Sequence, residues 1–199
     1  MLDQTLRAEL LQMRQADLDL RTELARDGSL FQGYAERMAE LHRHHNARLR
    51  AIIDEYGWPG RSLVGEDGAA AAWLLLQHAV LAPDLMREAV PLLQRAVQSG
   101  EIEPKFLALL TDRIRTLEGR SQPYGTQHDW DAEGRLSPLP IEDPERVEER
   151  RRSVGLEPLA ENTRRLRAQA AAEGNRPPTD HQQRQREAEE WARSLGWRT

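Results

Sequence analysis

Four side chains able to carry charge stand where a helical stripe calls for apolar ones: Asp17, His45, His78 and Arg113. A polar residue at a core-facing position needs a hydrogen-bonding partner. Bundle cores are where helical proteins assemble sites from side chains on facing helices. A histidine with a near-neutral pKa moves protons, and an arginine grips a carboxylate or phosphate at two points. Together the four predict one polar cluster suited to acid–base chemistry on an anionic small molecule. His78 is the candidate acid/base and Arg113 the anion clamp, while Asp112 orients one of the two. Asp17 and His45 are assigned to substrate binding. Taken singly, each has a plainer explanation. A lone stripe histidine is more often a satisfied core residue, Asp17 has Arg21 one turn away as an ion-pair partner, and Arg113 can snorkel.

Other chemistries are less well served. Two histidines and a carboxylate can hold iron or zinc, but an arginine beside a dication is unfavourable, so no metal ligands are assigned. No helix carries the Glu-x-x-His pair of di-iron bundles. His42, His44 and His45 lie close together in sequence, which suits a solvated face equally well. His128-Asp129 is a bare dipeptide in a loop. There is no G-x-S-x-G elbow and no P-loop. Cysteine is absent, which removes thiolate nucleophiles, disulfides and zinc–thiolate sites. The sequence names no cofactor.

The elements that must position these residues are helices. Leu2, Leu6, Leu10, Met13, Asp17, Leu20 and Leu24 recur at helical spacing, predicting a helix over 2–26. A second is expected over 33–56, with Tyr34, Met38, Leu41, His45, Leu49, Ile52 and Tyr56 as its stripe and His42 and Asn46 on one flank. Gly57 caps it, and Trp58-Pro59-Gly60 turns the chain. A third, strongly apolar helix is expected from about residue 67 to 81, with His78 near its end. Pro83 and Pro104 suit the first turns of a fourth and a fifth. The stretch 120–142 lacks periodicity, and loops of that length usually serve a site. It contains Pro123-Tyr124-Gly125-Thr126-Gln127, expected to cover the His78 end of the third helix, with Tyr124 and Gln127 orienting the ligand. Shorter charged helices follow, and Thr179 with Gln182 has capping-box spacing for the last one. No stretch alternates with period two, so no sheet is expected.

The bulk composition excludes whole classes. The chain has 199 residues, 39% hydrophobic and 31% charged, with a formal charge of -5. That is a globular balance, without the basic face that nucleic-acid binding requires. No apolar run reaches the ~18 residues of a membrane span. The N-terminus is amphipathic and acidic, unlike a signal peptide, so a bacterial cytoplasmic location is expected.

Several motifs recur in one order: Gly57-Trp58-Pro59, Val64-Gly65, Ala72-Trp73-Leu74 with Gln77-His78-Ala79, Leu110-Thr111-Asp112-Arg113, and Tyr124-Gly125-Thr126-Gln127. In this the chain resembles a bacterial domain-of-unknown-function family with the pattern GWP…VG…AAWLLxQHAD…LTDR…YGTQ, over roughly residues 5–160. The resemblance implies no activity. It singles out His78, Asp112, Arg113, Tyr124 and Gln127. The aspartate of QHAD is Val80 in this chain.

These readings predict an all-α protein: a helical bundle of about five core helices with a long covering loop and a helical C-terminal extension. The expected organisation is a core domain over 1–142 with its covering loop at 120–142, a charged extension over 143–174, and a linker with the last helix over 175–199. The leading expectation is a cytoplasmic small-molecule enzyme of specialised metabolism. The alternative is a non-catalytic interaction, regulatory or immunity module, docking a protein partner through its C-terminal helices.

Overall fold

A computed structural model describes residues 2–31 and 33–199. Its described residues form eight α-helices and one small hairpin: α1 Gln4–Asp27, α2 Glu36–Tyr56, α3 Arg61–Gln77, α4 Pro83–Gln98, α5 Pro104–Leu117, β1 His128–Trp130, β2 Leu136–Pro138, α6 Val147–Ser153, α7 Leu159–Ala172 and α8 His181–Ser194. The fold is all-α in character. No helix among the described residues is long and apolar enough to cross a membrane. The chain divides into two compact units, Met1–Glu103 and Pro104–Thr199. The divide falls just before α5, whereas the end of the non-periodic stretch predicts a boundary near 142.

In the first unit, α3 packs against α1, α2 and α4. Its small residues Gly68, Ala69, Ala71 and Ala72 are buried, and they let α1 approach closely. A Cβ at Gly68 would lie 2.9 Å from the Val64 Cβ and 3.3 Å from the Arg7 side chain. Three contacts show that α1 and α3 run parallel. The Asp3 amide donates to the Leu63 carbonyl at 2.8 Å. The Arg7 guanidinium grips Asp67 at 2.8 and 2.6 Å, an offset of 60 residues. Asp17 meets His78 at an offset of 61. The sequence pattern predicts α3 only from about residue 67, because the helix is interrupted at Gly65. That residue has φ 74° and ψ 171°, outside the helical region and at a positive φ that suits glycine. Leu10, Leu49, Ile52, Val64, Leu75, Leu76, Met86 and Leu93 make the core of this unit, each almost wholly inaccessible.

The second unit corrects two expectations. The stretch 120–142 contains a sheet, β1 and β2 pairing antiparallel with Trp130 opposite Leu136. Strands of three residues are too short to show alternation. The Asp131 carboxylate makes the turn between them: one oxygen accepts the Glu133 and Arg135 amides and the other the Ser137 hydroxyl. The last helix is capped by Asp180, whose side chain accepts the Gln183 amide at 2.9 Å, rather than by Thr179. Beyond α8, Trp197 is buried. The Arg198 guanidinium donates to the Leu117 and Thr116 carbonyls at 2.9 and 3.0 Å, supplying the partners that the C-terminus of α5 lacks within the helix.

Candidate functional site

The first unit gathers one carboxylate and two imidazoles. Asp17 comes from the middle of α1, where the stripe that buries Leu10, Met13 and Leu24 also buries it, to 1% exposure. His42 comes from α2 and is buried. His78 is the C-cap residue of α3 and is partly exposed, with 27% of its side chain accessible. The His42 Nε2 lies 2.8 Å from one Asp17 oxygen. The His78 Nδ1 lies 2.8 and 2.9 Å from the two oxygens. On the far side of its ring, the His42 Nδ1 is hydrogen-bonded to the Tyr34 hydroxyl. The two imidazole rings sit 5.4 Å apart, centroid to centroid. A chain Tyr34–His42–Asp17–His78 therefore joins two half-buried ends through the buried His42 and Asp17.

Burial pushes the Asp17 carboxyl up, but hydrogen bonds and charge attraction from His42 and His78 outweigh it and hold it well below the usual carboxylate range. Asp17 is thus an anion that fixes the orientation of both rings. With its Nδ1–H given to Asp17, the neutral His78 ring carries its lone pair on Nε2, the arrangement of a general base steered by a carboxylate. His45, one turn along from His42, is also buried. Burial lowers its pKa to about 4, with Asp17, His42 and His78 all close enough to act on it electrostatically. Its Nδ1 has no hydrogen-bond partner among the described residues. Such an orphaned group costs about 1–3 kcal/mol in a folded protein, a cost a bound ligand would remove.

Of the residues expected at the site, Asp17 and His78 meet directly and His45 lies within their electrostatic reach. Asp112, Arg113, Tyr124 and Gln127 belong to the second unit. Asp112 is fully buried, and its two oxygens accept the Tyr124 and Thr126 amides at 3.0 and 2.8 Å. Desolvation raises its pKa, and those amide bonds only partly oppose the rise. The Gln127 backbone is held by the buried Gln122 side chain, and its own amide donates to the Thr126 hydroxyl at 3.0 Å. The carbonyl of Tyr124 accepts from Arg151 at 2.6 Å. The Tyr-Gly-Thr-Gln stretch is thereby held by three side chains, Asp112, Gln122 and Arg151. Gly125 is required within it. Its φ is +66°, and a Cβ would come within 2.8 and 2.9 Å of the Ile141 and Leu159 methyl groups.

His42 and Tyr34 join the site without having been assigned to it. The signal for His42 was present: Met38, His42, His45, Leu49 and Ile52 follow the same four-three spacing as the stripe drawn through Leu41. The structure buries His42 and Asn46 and leaves Tyr56, expected in the stripe, 42% exposed. Drawing the stripe by hydrophobicity favoured Leu41 because it discounts polar residues that acquire partners in the fold.

Fold and site define an all-α protein with a buried carboxylate–imidazole cluster reaching the surface through one histidine. The chain belongs to the family described as DUF6624, a family of unknown function, whose sequence profile matches residues 4–173. No curated protein and no solved structure matches it.

Proposed function

We propose that the protein is a cytoplasmic small-molecule enzyme whose centre is the Asp17–His42–His78 cluster, with His78 as the member that meets substrate. The observation behind this reading is a buried carboxylate shared between two imidazoles, only one of which reaches the surface. A purely architectural carboxylate needs no ring at the surface. Here Asp17 steers His78 and stabilises positive charge on it when it takes a proton. His42, itself held by Tyr34, keeps Asp17 in place as a positioning residue. Arg113, expected to clamp an anion, belongs to the second unit, and the reading rests on the first unit alone.

The test is untargeted metabolite profiling of cells lacking the gene, complemented with the wild-type chain, His78→Gln or His78→Ala. Glutamine retains a hydrogen bond but cannot carry a proton at neutral pH. Both variants are expected to fold and to leave the metabolite profile of the deletion uncorrected. A folded His78→Gln protein that restores the profile would overturn the reading in favour of a non-catalytic interaction module.

A further inference from the structure

The three donor atoms of the cluster lie close enough to converge on a single ion. One Asp17 oxygen, the His42 nitrogen and the His78 nitrogen all fall within 4.8 Å of one another. We infer that Asp17, His42 and His78 bind one divalent transition-metal ion, leaving an open position for water or a substrate oxygen. The inference rests on the proposal that this cluster is the working centre and changes one role in it: with its Nδ1 on an ion, His78 would be a ligand, and a metal-bound water would carry the proton in its place.

Four features of the site support it. The donor set, two imidazole nitrogens and one carboxylate oxygen, suits zinc, iron, cobalt or manganese, whereas magnesium and calcium favour all-oxygen sites. The nitrogen–oxygen separations of 2.8 Å are near the spacing of neighbouring donors around an ion with bonds of about 2.1 Å, which is roughly 3.0 Å in octahedral and 3.4 Å in tetrahedral geometry. His42 has the outer partner expected of a ligating histidine, the Tyr34 hydroxyl on its other nitrogen, a contact that fixes tautomer and orientation. Finally, the buried His45 beside the cluster has a ring nitrogen with no partner among the described residues, so it is available to a metal-bound water or to substrate.

Three protein ligands with a position left open is the pattern of a catalytic site, not of a closed structural one. The partial exposure of His78 provides the approach. The ligands come from three separate elements, α1, α2 and the end of α3, so the packing of the first unit preorganises the site before any ion arrives.

The experiment uses the full-length untagged chain, stripped with a chelator and titrated with Zn²⁺ by calorimetry and with Co²⁺ by its visible ligand-field absorption. One ion per chain is expected, with a Kd between nanomolar and low micromolar. Asp17→Asn, His42→Gln and His78→Gln should each weaken binding by at least ~100-fold, and Tyr34→Phe by ~10-fold through the lost outer hydrogen bond. Replacing the exposed His44 by alanine should leave binding unchanged. Circular dichroism establishes that each variant is folded. If Asp17→Asn is not, His78→Gln decides alone, because His78 caps a helix at the edge of the unit. A folded wild-type chain that takes up neither ion, or stoichiometric binding that survives His78→Gln, overturns the inference. The catalytic proposal fails on a separate result, restoration of the metabolite profile by His78→Gln, so the two failures are told apart.

Discussion

Asp17 and Asp112 are both buried carboxylates on helices, and the protein treats them in opposite ways. Asp17 hands its oxygens to two imidazoles, and its pKa falls. Asp112 hands its oxygens to two backbone amides of a loop, and its pKa rises. Burial pushes both upward. The difference lies in the partners: two imidazoles bond Asp17 directly and outweigh its burial, whereas the amides and hydroxyl on Asp112, with the charge of Arg151 nearby, do not. A carboxylate tied to amides holds backbone in place. A carboxylate tied to titratable rings, one of them at the surface, controls where protons or cations sit. Burial by itself therefore does not separate an architectural acid from a chemical one.

The largest effect expected from breaking this contrast is on the architectural side. Asp112→Asn turns one acceptor into a donor facing a backbone amide, so at least one of the Tyr124 and Thr126 amides loses its partner. With the loop disturbed, about 3–5 kcal/mol of stability should be lost. Denaturant unfolding followed by fluorescence checks this, and a loss under about 1 kcal/mol would mean that Asp112 does not hold the loop.

The next effect is a pH dependence. Burial lowers the folded pKa of His45 to about 4, from an ordinary histidine value of 6.5. Its unfolded form binds a proton that the folded form refuses, so its contribution is present above pH ~6.5 and is lost as pH falls towards 4. That contribution is on the order of 3 kcal/mol. Asp112 has the opposite sign: its raised pKa favours the folded state at acid pH and weighs against it as pH rises. Melting temperatures measured across this range should fall on the acid side, and His45→Gln should flatten the fall. An unchanged slope in His45→Gln would place the acid sensitivity elsewhere.

Asp17→Asn should be milder for stability than Asp112→Asn, at about 1–3 kcal/mol, because the amide still fills the space and accepts one ring N–H. Its effect on function should be far greater, with complementation abolished. If the asparagine variant complements the deletion, Asp17 belongs with Asp112 as architecture. The smallest effect is expected at an ion pair between exposed side chains. Glu23→Gln removes the partner of Arg37, both side chains being more than half exposed, and should shift stability by less than ~0.5 kcal/mol. A larger shift in thermal unfolding would show that pairing with a flexible surface cation also anchors structure.

What could be read directly from the chain is what depends on neighbours in sequence. Helical periodicity places Asp17, His45, His78 and Arg113 among apolar positions; the first two are buried and the other two half-buried. Gly57 and the prolines at 83 and 104 mark helix ends because φ preference and the missing proline N–H act locally. The absence of cysteine likewise excludes thiolate chemistry. Which polar residues meet is a different matter, because it depends on how helices pack. The parallel pairing of α1 and α3, made possible by a run of small residues, carries Asp17 to His78 across 61 positions. One residue of freedom in the α2 stripe decides between Leu41 and His42, and the Asp17 carboxylate settles it by giving a buried imidazole its partner. The loop after α5 shows no periodicity because Asp112, Gln122 and Arg151 shape it through hydrogen bonds to backbone up to 27 residues away. Periodicity is a property of adjacent turns, whereas a carboxylate's partners are chosen by whichever surfaces pack against it.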